Sequence, residues 1–370
     1  MTWSSVCLFL IKDLAMKRIF SVTLLVVTLL LLMTMCSAPN QENEKQGGTL
    51  VVANKSGNNI SFIDRSTGKT LKTLPTGEEP HEVEISYNGK FAVVSNYGDR
   101  EEPGNTLSVY DVKQAKLLKT IDLGENTRPH GMKWLKGTNK LLVTTEGTDR
   151  LLLVNVATGT IEREMVTGQP VSHMVAATPN GKYAFVSSIR TGDVTVFELK
   201  SGEMITQIHS GDGAEGIAVS PNGKELWVTN RGENTLSVFD VSTFDLLNKV
   251  PCGEFPIRAK FSPSGKHFVV SNARSGEIAV FDAREKKLLN KIKLTPPVPK
   301  DKDPERYFSE FEGTSVPIGL VVPDDNTVYV ANTRSDAISV FNLSAQKVKD
   351  HFVAGKEPDG IGYSPIEPDL

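Results

Sequence analysis

Hydrophobic and polar positions alternate along this chain in short runs, and the runs recur. An apolar strand, Val51-Val52-Ala53, ends in Asn54; a polar hairpin follows, and Ile60-Ser61-Phe62-Ile63 runs on to Asp64. The same pattern returns at Val94-Ser95-Asn96, Val228-Thr229-Asn230, Val270-Ser271-Asn272 and Val330-Ala331-Asn332, with degenerate copies at Thr144-Thr145 and Ser187-Ser188. Short alternating runs of this length are strands rather than helices. Seven copies at a period near 42 residues predict an all-β fold, a seven-bladed β-propeller of four-stranded antiparallel blades.

The best-preserved unit runs from 214 to 253 and predicts four strands, beginning with Gly216-Ile217-Ala218-Val219 and turning at Pro221-Asn222-Gly223. Asn-Gly turns recur at Asn88-Gly89 and Asn180-Gly181, because tight hairpins need a positive φ that Gly adopts without strain. The first copy lacks its leading strand, while the chain ends with Pro358-Asp359-Gly360-Ile361-Gly362-Tyr363, a leading strand without a blade. The C-terminal strand is therefore expected to pair into the N-terminal blade and close the ring, which leaves no open sheet edge.

From Asn54 the anchors advance by 42, 49, 43, 42, 42 and 60 residues, so two repeats carry insertions, at 98–104 and 295–316. Strand direction places both on the face opposite the Asn-Gly turns, and surplus loop on one face of a rigid repeat marks the functional side. The second insertion, with Arg306, Tyr307, Phe308 and Phe311, has the composition of a lid.

A repeat array grows around one axis, so residues 49–366 are read as one domain despite the length of the chain. Ahead of it, residues 1–36 read as a secretory leader: Lys17-Arg18 precede an uncharged Leu- and Val-rich run from Ile19 to Met35. Cys36 and the polar tether 37–48 resemble a lipoprotein leader, with lipidation at Cys36. Cleavage after Ala38 and an uncleaved anchor are the alternatives. The expected location is outside the cytoplasm of a bacterium, periplasmic or on the outer surface, held to the membrane by the N-terminal lipid. The net charge of −3 and the absence of a basic block argue against a nucleic-acid partner. Cys252 stands alone in the domain, which excludes a disulfide framework and a Cys-x-x-Cys metal site.

Laying the repeats over one another exposes a column at the start of the innermost strands: His81, His130, His173, Glu215, Ile257, Ile318 and Asp359. Ring closure makes Asp359, His81, His130, His173 and Glu215 one continuous arc around the axis. Three imidazoles between carboxylates suit a transition metal, Zn, Cu or Fe, or proton transfer; histidines lining a water-filled channel are the plainer reading. Lys55, Arg190, Arg231, Arg274 and Arg334 follow the strand ends and are expected to fringe the same mouth, where guanidinium groups would recognise a carboxylate or phosphate. Arg306 and Tyr307 join them as candidates from the insertion.

Other motifs fail on context. Gly211-Asp212-Gly213-Ala214-Glu215-Gly216 fits a dinucleotide string but joins two strands instead of opening a helix. There is no Gly-x-Ser-x-Gly elbow, His-Glu-x-x-His or Walker sequence, and no Cys-x-x-Cys-His to carry a companion haem.

The units, such as Gly216-Ile217-Ala218-Val219-Ser220-Pro221-Asn222-Gly223-Lys224 followed by Trp227-Val228-Thr229-Asn230, resemble the YVTN-type seven-bladed propeller repeat over nearly all of 49–365. That repeat is similar to those of lactonase-type, haem d1 and nitrous oxide reductase propellers, so the resemblance implies a fold and a choice of functions. The leading expectation is a monomeric binding module for a small anionic ligand, a metal or an envelope protein. The alternatives are a lactonase-like hydrolase using His81, His130, His173 or Glu215, and a metal- or haem-linked redox protein. Single-stranded nucleic-acid binding would need aromatics beside the basic fringe, for which only Tyr97, Tyr307 and Phe308 offer themselves.

Overall fold

The computed structural model describes residues 47–297, 308, 310, 311 and 313–370. Cys36, Arg306 and Tyr307 lie outside them. The described chain forms seven four-stranded antiparallel sheets, each a meander of consecutive strands except the first. That first blade takes Pro358–Ser364 as its inner strand, followed outward by Thr49–Asn54, Asn59–Asp64 and Thr70–Pro75. Thr49 lies opposite Ser364 and Val52 opposite Ile361, so the two ends of the chain share one sheet and the ring is closed. No described helix is long and apolar enough to cross a membrane.

The core consists of wedges between blades. In Val51-Val52-Ala53, Val51 and Ala53 pack toward the second blade, with Val83, Ala92 and Val94, while Val52 packs toward the seventh, with Tyr329 and Ala331. Alternation along a strand sends successive side chains to opposite sheet faces. Both faces are covered by neighbouring blades, so the middle strands read as unbroken apolar runs. Each fully buried Val, Leu or Phe contributes about 1.5–3 kcal/mol. Between the fifth and sixth blades the wedge is aromatic, with Trp227 against Phe268 and Phe261. Outer strands keep one face in water, and Leu246 and Leu247 are half exposed.

The recurring Asn is a clamp. Asn230 is fully buried; its amide donates to Ser237 Oγ at 2.9 Å and Thr235 Oγ1 at 3.0 Å, and its carbonyl accepts from Ser210 Oγ at 2.7 Å. Asn96 repeats the bond to Ser108 at 3.0 Å and accepts the Gly77 N–H at 3.0 Å. One side chain thus ties the second strand to the third and satisfies the link arriving from the preceding blade, a set of polar groups that would be costly to bury unpaired. In the degenerate copies hydroxyls substitute, as in Ser188 Oγ to Pro170 O at 2.6 Å.

The insertion at 98–104 is partly strand: Gly98, Pro103 and Gly104 lie in strands, and 99–102 form the loop between them. It lengthens the hairpin to Phe91–Gly98 and Pro103–Asp111, with Gly98 paired to Pro103. Only Gly fits at 98: its φ is +80°, and a Cβ would stand 2.0 Å from Gly104 N. Of the second insertion, Phe311 and Val316 are buried against Ile257, Ala273 and Ile318, with Phe255 and Phe308 beside them, on the loop-rich face.

Candidate functional site at the axial mouth

Every inner strand is introduced the same way. The residue before it has a positive φ in all seven blades: Glu79, Arg128, Val171, Gly213, Phe255, Val316 and Glu357. The pairing to the second strand then shifts register across the first residues, as between Pro80 and Val83 and between Ser172 and Val175. A hydroxyl on the second strand fills the gap: Thr144 Oγ1 accepts the Gly131 N–H at 2.9 Å, and Ser187 Oγ accepts the Met174 N–H at 3.2 Å. Such bulges re-aim side chains. Here they bring the second residue of each inner strand against its counterparts in adjacent blades.

The five polar members of the sequence column do meet. His81 Nδ1 lies 3.1 Å from Asp359 Oδ2. The His81 and His130 rings are 4.8 Å apart, those of His130 and His173 3.9 Å, and His173 Nε2 is 3.2 Å from Glu215 Oε1. All five are buried. Close approach of the strands depends on Gly at the third inner position: a Cβ on Gly319 would meet Asp359 O at 2.0 Å, and one on Gly360 would meet His81 O at 2.4 Å.

That third position also supplies two residues absent from the sequence-based set. Arg258 and Glu82 replace the Gly there, and Arg258 crosses the axis: Nη2 is 2.7 Å from Glu82 Oε1, and Nη1 is 3.0 Å from Glu215 Oε1. A third addition, Glu146, follows Thr145 directly. It bonds His173 Nδ1 and accepts from Tyr97 Oη at 2.5 Å. Tyr97 packs on His81, ring centroids 4.3 Å apart, with the Arg128 guanidinium 5.0 Å from its own ring.

The basic fringe divides by position. Lys55 and Arg231, one residue past the strand end, turn inward: Lys55 is buried 3.7 Å from Glu79, and Arg231 Nη1 bonds Glu215 Oε2 at 2.7 Å. Arg190, Arg274 and Arg334, two residues past it, do not join the arc. Arg190 and Arg274 are exposed. Arg274 lies over Phe255 and Phe311, and Arg334 donates to Phe311 O at 2.8 Å. The five cations in sequence thus become two at the site, two that hold the insertion, and Arg190 exposed.

Electrostatics separates the imidazoles. Burial, then Lys55, holds His81 well below its ordinary value, and burial, then His173 and His81, does the same to His130. Burial presses on His173 too, but Glu146 and Glu215 outweigh it and leave its pKa raised. Glu215, despite burial, is pulled down to about 2 by Arg231, His173 and Arg258; burial lifts Asp359 and lowers Lys55 to about 8. The inward cations are therefore already paired with carboxylates, which leaves less for an anionic ligand than the sequence fringe implied.

Below Arg258 the axis opens toward the turn face as a cavity of about 220 Å³, lined among others by Glu82, Glu84, Lys133, Arg258 and Lys260. Lys133 Nζ bonds Glu84 Oε1 at 2.8 Å within it. Arg258 thus separates an imidazole-lined mouth from a charged lower chamber.

A family model described as "Lactonase, 7-bladed beta-propeller" matches residues 124–302. That span holds His130, Glu146, His173, Glu215 and Arg258, but not His81 or Asp359. A solved structure of a functionally unknown protein from Desulfotomaculum acetoxidans DSM 771 superposes with a TM-score of 0.70 at 16% identity, covering 87% of this chain and 100% of that one. Kuenenia stuttgartiensis hydrazine synthase superposes with a TM-score of 0.65, also at 16% identity, covering 83% of this chain and 99% of that one. Likeness at that identity extends to the fold alone. No curated protein matches the sequence.

Proposed function

We propose that this chain is a lactonase-like hydrolase of the cell envelope, built on a YVTN-type propeller, exported by its leader and tethered through Cys36. The observation that supports this most is the continuous imidazole row His81–His130–His173, closed by Asp359 at one end and by Glu146 and Glu215 at the other. Water activated beside His130, His173 and Glu146 adds to the lactone carbonyl carbon, and the ring C–O bond breaks. The proton lost by water is passed within this acid–base cluster to the departing ring oxygen, and the open hydroxy acid ionises to the hydroxycarboxylate. Arg231, partly exposed above Glu215, faces the charge that develops on the carbonyl oxygen. The similarity of residues 124–302 to the lactonase family model adds weight to this reaction class.

Base-consumption assays on five- and six-membered lactones test the reading. The full chain turns over at least one of them, and His173→Ala lowers the rate by roughly 10²–10⁴-fold, the usual worth of a positioned acid–base group. No turnover by the wild-type chain, or an unchanged rate in His173→Ala, would overturn it. Binding without turnover is the second reading. The depth of the row favours it, since His130 is only 2% exposed.

A further inference from the structure

We propose that His130, Glu146 and His173 hold a divalent first-row transition-metal ion of the zinc class at the axial mouth. The inference deepens the hydrolytic reading, because the ion would be what activates the water. Each of the three residues presents a ligand atom within 4.8 Å of the other two. Around a tetrahedral ion with bonds of about 2.0–2.2 Å, ligand atoms stand roughly 3.4 Å apart. Side-chain shifts of about an ångström therefore close the widest pair, while the direct Glu146–His173 hydrogen bond opens to admit the ion. Two nitrogens and one carboxylate oxygen form a catalytic-type donor set that leaves a position for water.

Three further observations point to a ligand at this place. His130 Nδ1 is buried and has no hydrogen-bond partner among the described residues, a condition that native interiors rarely leave without a reason. The two protein partners of the donor set are themselves oriented from behind: Tyr97 Oη fixes Glu146 at 2.5 Å, and Glu215 Oε1 lies 3.2 Å from His173 Nε2. Outer partners of this kind are what steady metal-ligating imidazoles. The surroundings also tolerate a cation, for Glu82, Glu146, Glu215 and Asp359 line the site against Lys55, Arg231 and Arg258. Glu215, which the sequence column offered as a ligand, is engaged by both guanidinium groups, and Glu146 takes its place.

The test uses the untagged full-length chain, stripped with a chelator and titrated with Zn²⁺ by calorimetry, with elemental analysis after dialysis. One ion per chain is expected. Binding weakens at least tenfold in His130→Ala and Glu146→Gln and stays unchanged in His209→Ala, a histidine on an exposed outer strand. Zn²⁺ also raises the melting temperature of wild type but not of Glu146→Gln, which separates ligand loss from misfolding. No stoichiometric ion on wild type with Zn²⁺, Cu²⁺ or Mn²⁺, or wild-type affinity in both variants, would overturn the proposal. Lactone turnover that persists in the chelated protein would remove the metal and keep the hydrolase; a bound ion without turnover would do the reverse.

Discussion

Arg258, on the inner strand of the sixth blade, holds Glu82 of the second blade across the propeller axis, Nη2 to Oε1 at 2.7 Å. The same guanidinium bonds Glu215 of the fifth blade at 3.0 Å, and Arg258 and Glu215 are almost fully buried. Removing one partner of a buried ion pair leaves an uncompensated charge and costs about 3–5 kcal/mol. Arg258→Met is therefore expected to lower the denaturation midpoint strongly. Adding Glu82→Gln in that background should return part of the loss, because one of the stranded carboxylates is gone. Strictly additive losses in the double-mutant cycle would mean that the two residues do not interact.

The Asn clamp makes a separate prediction away from the axis. Asn230→Ala removes an amide that donates to Ser237 and Thr235 and leaves Ser210 Oγ without its acceptor. Stranding buried polar groups costs about 1–3 kcal/mol each. Urea unfolding should show Asn230→Ala destabilised by at least ~1 kcal/mol, while Asn180→Ala, at an exposed turn, changes little. Equal midpoints would show that the clamp is dispensable.

The difference between these two asparagines also explains what could be read in advance. A repeat constrains every copy at once, so the blade count, the strand order and the closure by Pro358–Ser364 were legible from spacing alone. The arc was legible for the same reason: position two of each inner strand occupies an equivalent place around the axis. Arg258 and Glu82 escaped because their column is filled mainly by Gly, whose role is to let strands approach, and spacing does not reveal that a long side chain there will reach across the axis. Glu146 escaped because its copy lacks the anchoring Asn. Comparing it with Lys55 and Arg231, which also stand one residue past the strand end, would have found it. The insertion at 98–104 looked like loop because its Pro, Gly and charged residues are turn formers, yet the ladder carries on through Gly98.

Acid stability should depend on Glu84. Burial raises its pKa, but Lys133, with help from Lys260 and the Trp134 N–H at 3.1 Å, overcomes this and leaves it below the ordinary carboxylate value. A carboxyl group depressed in the folded state contributes stability above its unfolded pKa and loses it as pH falls through the folded one. The contribution is whole at neutral pH and declines below about pH 4.5. Chemical-denaturation midpoints between pH 7 and pH 3 should fall for wild type and fall less for Glu84→Gln. Parallel curves would assign the acid sensitivity elsewhere.

Cys252 offers the last test. Only partly buried, it packs beside the wedge between the fifth and sixth blades and donates to Asn272 Oδ1 at 3.3 Å. Burial pushes its thiol up to about 12. The thiolate is the reactive form, so at pH 8.5 only a small minority of folded molecules is ionised, against roughly half for a free thiol. Alkylation of the native chain by iodoacetamide at pH 8.5 should therefore be at least about tenfold slower at Cys252 than in urea, as followed by mass spectrometry. Accelerated labelling in Asn272→Ala would show that the hydrogen bond and the packing around it, rather than sequence context, keep the thiol inert. Rapid modification of the native wild type would contradict the packing and hydrogen bond on which this prediction stands.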